Sequence, residues 1–75
     1  MNMRQLRERA KLRTVDVAYH LGVAESTVRN WESGRTAPKL TFAQIKQLMQ
    51  LYNCSFEDLE ESVKKSMIVE EEDIE

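Results

Sequence analysis

The sequence predicts an all-α fold, a compact five-helix bundle. Three observations predict it: the 75 residues contain only two glycines and one proline, they combine 41% hydrophobic with 32% charged residues, and the apolar positions recur every three or four residues. A chain of this length makes one domain with a modest core, too small for a large enclosed active site. We therefore expect a helical binding module.

The first two helices are predicted from their starts. Asn2 can cap a helix over 3–10, with Gln5 in the reciprocal position of a capping box. A second helix is predicted over 14–21. Arg13 is a poor residue for its start, and Thr14 is the alternative cap.

The remaining three helices also carry start or stop signals. The third is predicted over 25–33 and ends at Gly34, which tolerates the left-handed conformation of a helix C-terminus. The fourth follows Thr41, whose partner in a capping box is Gln44, and a shorter fifth helix follows Ser55. The predicted core is Leu6, Ala18, Leu21, Gly22, Val28, Trp31, Ile45, Leu48 and Leu59. Further inward-facing residues are expected at Phe42, Met49, Tyr52 and Phe56.

Charge is divided unevenly along the chain. Residues 1–52 hold nine Lys/Arg and four Asp/Glu, a net charge of +5, whereas residues 53–75 hold two Lys/Arg and nine Asp/Glu, a net charge of −7. The overall net charge of −2 therefore does not exclude an anionic partner. The basic part can approach phosphates, and the acidic end must point away from them or act as a brake.

The spacing of Ala18, Gly22 and Val28 predicts a helix-turn-helix. Two helices that cross steeply need a small residue at their contact and a residue that tolerates positive φ at the end of the first helix. Val28 and Trp31 then face the core, which leaves the opposite, polar side of the second helix exposed. In this geometry the N-terminal part of that helix enters the major groove of DNA.

Two stretches carry a family resemblance, LRERAKLRTVDVAYHLGVAESTVRNWESGRTAP and LYNCSFEDL. Together they resemble the Cro/C1-type (XRE-like) helix-turn-helix family of phage repressors and bacterial regulators, over residues 4–62. The resemblance implies sequence-specific binding of double-stranded operator DNA by a homodimer, and a transcriptional regulator of the repressor kind in a prokaryotic or phage setting. A cytoplasmic, nucleoid-associated location follows from that role.

The resemblance also assigns roles to individual residues. Base-edge contacts are expected from Glu25, Ser26, Arg29 and Asn30. Phosphate contacts are expected from Thr14, Thr27, Ser33 and Arg35. A structural ion pair is expected between Arg7 and Glu32.

Two departures from the family pattern affect these assignments. Thr14 stands where relatives often have the longer Gln, and Ala24 stands where they often have a capping Ser or Thr. Glu25 has two open interpretations, because it can accept from cytosine N4 or pair with Arg29 one turn later.

After Lys65 the helical pattern fades into a short apolar stretch and an acidic run, beyond the part of the chain that carries the resemblance. Residues 1–62 are expected to form the DNA-binding domain and residues 63–75 an acidic tail, disordered or dimer-associated. A dimer interface is expected around Tyr52, Asn53, Phe56 and Ile68. The rival interpretation is a protein-interaction adaptor or antitoxin that engages a protein partner through the acidic tail.

Catalysis, cofactors and metals are not expected. His20 has no partners for acid–base or metal chemistry, and the single cysteine, Cys54, excludes an internal disulfide or a multi-thiolate metal site. No apolar run is long enough for a signal peptide or a membrane span, so no membrane partner is expected.

Overall fold

The computed structural model describes the backbone of residues 1–74 and the side chains of residues 1–67. The described part contains five helices and no strand, which confirms the all-α fold. They are α1 (Met3–Arg9), α2 (Thr14–Leu21), α3 (Glu25–Ser33), α4 (Phe42–Tyr52) and α5 (Phe56–Ile74). None of the helices in the described part is long and apolar enough to cross a membrane.

Capping boxes begin three of the helices. At α1 the Asn2 side chain accepts from the Gln5 amide at 2.9 Å, and Gln5 Oε1 accepts from the Asn2 amide at 2.9 Å. Thr41 and Gln44 form the same reciprocal pair at 3.0 and 3.1 Å, and Ser55 and Asp58 do so at 3.3 and 3.0 Å. Because each box satisfies otherwise unpaired amides of a first turn, these starts are encoded locally.

The start of α2 differs from the alternative cap considered above. Arg13 is the N-cap residue, and its amide donates to the Asp16 carboxylate at 2.9 Å. The Arg13 guanidinium pairs with the same carboxylate at 3.1 Å. Thr14 is therefore the first residue of the helix and not its cap, which leaves its hydroxyl available for another partner.

The core lies where all five helices meet. Ten hydrophobic residues are at most 5% exposed: Met3, Leu6, Val17, Ala18, Leu21, Val28, Trp31, Leu48, Tyr52 and Leu59. Ile45 packs against this cluster and is half-buried. Trp31 thus packs the inner face of α3 against the core.

Gly22 and two aromatic residues lie outside this core. Gly22 is exposed and ends α2 with φ +72°, so its contribution is a left-handed turn and not packing. Phe42 is 91% exposed and Phe56 is 50% exposed, whereas both were predicted to face inward. Each is the first residue of its helix, and the apolar stripe meets the core only one turn later, at Ile45 and at Leu59.

Helix α5 is longer than the short helix predicted. No glycine or proline interrupts residues 56–74, so nothing in the backbone ends the helix early. The expected tail boundary at residue 63 falls inside α5, and Ser66 still packs on the domain, where its hydroxyl accepts from the Met3 amide at 3.1 Å. The side chains of residues 68–75, with the predicted interface residue Ile68, lie outside the described part.

Candidate nucleic-acid interface

Helices α2 and α3 pack against each other across a tight turn. Ala18 is 4% exposed, and Gly22 turns the chain while its amide donates to the Ala18 carbonyl at 2.9 Å. Val28 and Trp31 bury the inner face of α3. On the outer face, Ser26 and Arg29 are exposed, and Glu25 and Asn30 are half-buried. The four residues assigned to base contacts therefore share one accessible side of a braced helix.

A hydrogen-bond network joins the first turns of α2 and α3. The Thr14 hydroxyl donates to Glu25 Oε2 at 2.6 Å, and Arg29 Nη2 donates to the same oxygen at 3.0 Å. These hydrogen bonds lower the pKa of the Glu25 carboxyl below its usual value, the bond from Thr14 more than the bond from Arg29. Of the two interpretations of Glu25, the DNA-free protein has the pairing with Arg29.

The Thr14 contact is a feature that sequence reasoning missed. Thr14 was assigned to a phosphate, yet its hydroxyl is used by a carboxylate eleven residues away. A pairing of this kind depends on how two helices cross, which no local pattern reports. The only hint in the sequence was that Thr is too short for the phosphate contact made by Gln in relatives.

Arg7 and Glu32 lie side by side between α1 and the end of α3. Arg7 Nε and Nη2 donate to the two Glu32 oxygens at 2.6 and 3.1 Å, and Arg7 Nη1 donates to the Leu12 carbonyl at 2.9 Å. The two side chains are only 13% and 9% exposed. Hydrogen bonding to Glu32 raises the pKa of the Arg7 guanidinium. The pair fixes the C-terminal turn of α3 on the body of the domain.

The other residues assigned to phosphates lie around α3. Ser33 is exposed at the end of the helix, and Arg35 is exposed just beyond the Gly34 turn. Thr27 is half-buried beside a second surface cleft that Lys39 also lines. These groups flank the outer face of α3, as phosphate ligands would need to do.

An open cleft beside α3 adds two arginines that sequence reasoning did not assign. It is lined by Arg4, Arg7, Arg13, Thr14, Arg29, Glu32 and Ser33. Arg4 and Arg13 belong to α1 and to the start of α2, and each pairs with an acid on its own helix. The charge excess of the N-terminal part was the available signal, but only the fold brings its members to one cleft.

The remaining reactive side chains are isolated. His20 is exposed and packs edge to face on Tyr19 at 5.6 Å. Burial raises the pKa of the half-buried Cys54 thiol. Among the described residues, no group of three or more His, Cys, Asp or Glu could hold a metal ion.

An α2–turn–α3 unit with a buried inner face and a polar, arginine-bearing outer face is the framework of a helix-turn-helix protein. Residues 2–62 match the sequence profile of the Helix-turn-helix domain family, so the chain belongs to that family. This agrees with its resemblance to the Cro/C1-type group, and it makes the protein a DNA-binding regulator in general terms, in a family that is typically non-enzymatic. No curated protein and no solved structure gives a significant match.

Proposed function

We propose that the protein binds specific double-stranded DNA sequences as a transcriptional repressor, with α3 in the major groove. The observation that carries this proposal is the contrast between the two faces of α3, buried at Val28 and Trp31 and polar at Ser26, Arg29 and Asn30. A rigid helix with an accessible polar face meets the geometric need of base readout. The Cro/C1 resemblance supports a prokaryotic or phage regulator, cytoplasmic and nucleoid-associated.

The outer face of α3 supplies the chemistry of base recognition. Arg29 can donate to guanine O6 and N7, Asn30 can pair with adenine N6 and N7, and Ser26 can bond to either. Glu25 joins them as an acceptor. These four residues would read the bases.

Phosphates would be held around that face. Thr27, Ser33 and Arg35 are the proposed ligands, and Arg4 and Arg13 add positive charge to the adjoining cleft. Thr14 would reach a phosphate only by releasing Glu25, because its hydroxyl is otherwise engaged.

We further propose a homodimer, because one such domain reaches few base pairs and two copies fit half-sites about one helical turn apart. An apolar groove between α4 and α5 supports this. Leu40, Ile45 and Phe56 contribute to it, and Glu60 and Lys64 stand on its rim one turn apart. In a two-fold interface Glu60 of one copy can face Lys64 of the other, so the groove is electrostatically self-complementary.

This groove differs from the interface expected from the sequence. Tyr52 is 1% exposed, so its side chain is part of the monomer core and is not available to a second copy. Asn53 ends α4 with φ 51° and does not line the groove. Phe56 is the one described residue common to both.

Sedimentation equilibrium tests the dimer. Phe56→Glu should weaken dimerisation at least about tenfold, since it puts a carboxylate into an apolar contact. Tyr19→Glu, a change at another exposed aromatic residue, should leave it unaltered. Equal dimer constants for the two variants would exclude the groove.

A selection of bound sites from random duplexes tests DNA binding itself. The wild-type protein should enrich one motif, repeated with two-fold symmetry. Arg29→Ala and Asn30→Ala should lose the enrichment and retain the fold, because both changed side chains lie on the outer face of α3.

The rival adaptor role is favoured by the net charge of −7 in residues 53–75. It would be supported if the two α3 variants left DNA affinity and its salt dependence untouched while residues 57–75 still captured a protein partner. A triple change of Glu70, Glu71 and Glu72 to Gln, tested in the same selection, reports whether the acidic end acts as a brake. Tighter binding to all duplexes is the result expected of a brake.

A further inference from the structure

The Glu25–Arg29 pair leaves both partners with unused hydrogen-bonding atoms. Thr14 and Arg29 both donate to Glu25 Oε2, at 2.6 and 3.0 Å. Within residues 1–67, Glu25 Oε1 accepts no hydrogen bond. Arg29 Nη2 uses one of its two N–H groups for Glu25, and Nε and Nη1 donate none, so one two-donor edge of the guanidinium, formed by Nη2 with Nε or Nη1, stays free. The Arg29 side chain is 68% exposed and that of Glu25 is 39% exposed. The first turn of α3 therefore presents a free acceptor beside a fork of free donors.

This arrangement selects among ligands by charge and by order of groups. The carboxylate disfavours a phosphate and the guanidinium disfavours a cation, so a simple ion of either sign meets repulsion as well as attraction. A neutral edge with two acceptors followed by a donor satisfies both side chains. Such a ligand would match Arg29 with its acceptors and Glu25 with its donor.

One base pair has that order in the major groove. A G·C pair presents guanine N7, guanine O6 and cytosine N4 as acceptor, acceptor and donor, whereas an A·T pair presents acceptor, donor and acceptor. Guanine O6 and cytosine N4 are hydrogen-bonded to each other, at about 2.9 Å for a bond of this type. Arg29 Nη2 and Glu25 Oε2 are 3.0 Å apart, so the guanidinium and the carboxylate are as near to each other as the two groups of the base pair are.

We propose that Glu25 and Arg29 act together as a reader of one G·C base pair in each half-site. Arg29 donates to guanine N7 and O6, and Glu25 Oε1 accepts from cytosine N4. This inference rests on the proposed function and names the base pair recognised by part of that site. This reader differs from two independent contacts, because Glu25 and Arg29 recognise the two bases of one base pair.

Thr14 is the positioning residue of this reader. Its hydroxyl occupies Glu25 Oε2, which turns the carboxylate into a group with a single free oxygen and ties that group to the start of α2. Loss of the hydroxyl would let the carboxylate rotate and follow Arg29 alone. The cytosine contact should then weaken while the guanine contact persists.

Base analogues in the selected duplex test the inference. In a duplex enriched by the wild-type protein, 7-deazaguanine removes guanine N7, and 2-pyrimidinone removes the cytosine N4 amine. Each replacement at the proposed pair should weaken wild-type binding by roughly 5- to 150-fold. Arg29→Ala should be insensitive to the first replacement and Glu25→Ala to the second.

Two Thr14 variants form the matched control for positioning. Thr14→Val should reduce the effect of 2-pyrimidinone and keep that of 7-deazaguanine, whereas Thr14→Ser should retain both effects. Equal wild-type affinity for cytosine and 2-pyrimidinone would overturn the inference. An unchanged 2-pyrimidinone effect in Thr14→Val would overturn the positioning role.

The outcome also separates this inference from the proposed function. If the wild-type protein enriches a motif without a G·C pair that depends on Glu25 and Arg29, the base-pair reader is wrong and sequence-specific binding stands. If it enriches no sequence at all, the proposed function itself fails. Urea midpoints of every variant, measured beside the binding data, identify any loss of affinity that arises from unfolding.

Discussion

Removal of the Arg7 side chain should destabilise the protein strongly. Arg7→Ala deletes two hydrogen bonds to Glu32 and one to the Leu12 carbonyl, and it leaves a carboxylate that is 9% exposed without its cation. Breaking a buried ion pair from one side costs about 3–5 kcal/mol. We expect a value near the lower limit, about 3 kcal/mol, because the edge of the pair still reaches solvent.

Urea unfolding followed by circular dichroism measures this cost. A domain of this size has a total stability of about 5–15 kcal/mol, which falls by about 1–3 kcal/mol per molar urea. A loss of about 3 kcal/mol should therefore lower the urea midpoint by about 1 M or more. Arg4→Ala is the matched control. Its pair with Glu8 joins side chains that are 68% and 53% exposed, and it should cost less than about 1 kcal/mol.

A double variant separates the buried charge from the lost packing. Arg7→Met combined with Glu32→Leu removes both charges and should recover much of the stability lost in Arg7→Ala, since a well-packed apolar pair can replace a buried ion pair. Equal urea midpoints for Arg7→Ala and Arg4→Ala would refute the reasoning. They would mean that Glu32 is solvated well enough to need no partner.

Two further predictions concern stability. Gly34→Ala should destabilise the protein by about 1–3 kcal/mol more than Gly22→Ala in urea unfolding. Both glycines have positive φ, but only at Gly34 would an added Cβ lie 2.5 Å from the Ser66 carbonyl oxygen. Equal losses of stability would show that α5 does not press on this turn. Hydrogen bonds from Ser55 lower the pKa of Asp58 in the folded protein, so its contribution is present above the unfolded pKa of about 3.9 and is lost as pH falls through the lower folded value. The urea midpoint should therefore fall less between about pH 5 and about pH 2 in Asp58→Asn than in the wild type. An unchanged fall would contradict this.

Helix starts were predictable because their signals are local. The boxes at Asn2, Thr41 and Ser55 lie within four residues of chain, and the left-handed ends at Gly22 and Gly34 depend on single residues. Such features need no tertiary contact to be specified. The predicted ends of α2 and α3, just before Gly22 and Gly34, therefore agree with the structure.

The features that were missed depend on neighbours distant in sequence. Phe42 has the periodic spacing of a core residue, yet no other element covers its side chain, so it stays exposed. Thr14 meets Glu25 only because α2 and α3 start side by side. Arg4 and Arg13 share a cleft with Arg29 because α1 and α2 both pack beside α3. Periodicity reports which face of a helix is apolar, but it does not report what covers that face.

A titration at two salt concentrations tests directly whether the outer face of α3 reads DNA sequence. Fluorescence anisotropy would give the Kd of wild type and Arg29→Ala for the selected duplex and for a shuffled one, with Lys46→Ala, an exposed change on α4, as control. We predict that Arg29→Ala loses roughly 5- to 150-fold on the selected duplex but much less on the shuffled one. Equal wild-type affinity for both duplexes at both salt concentrations would show that this face does not read sequence.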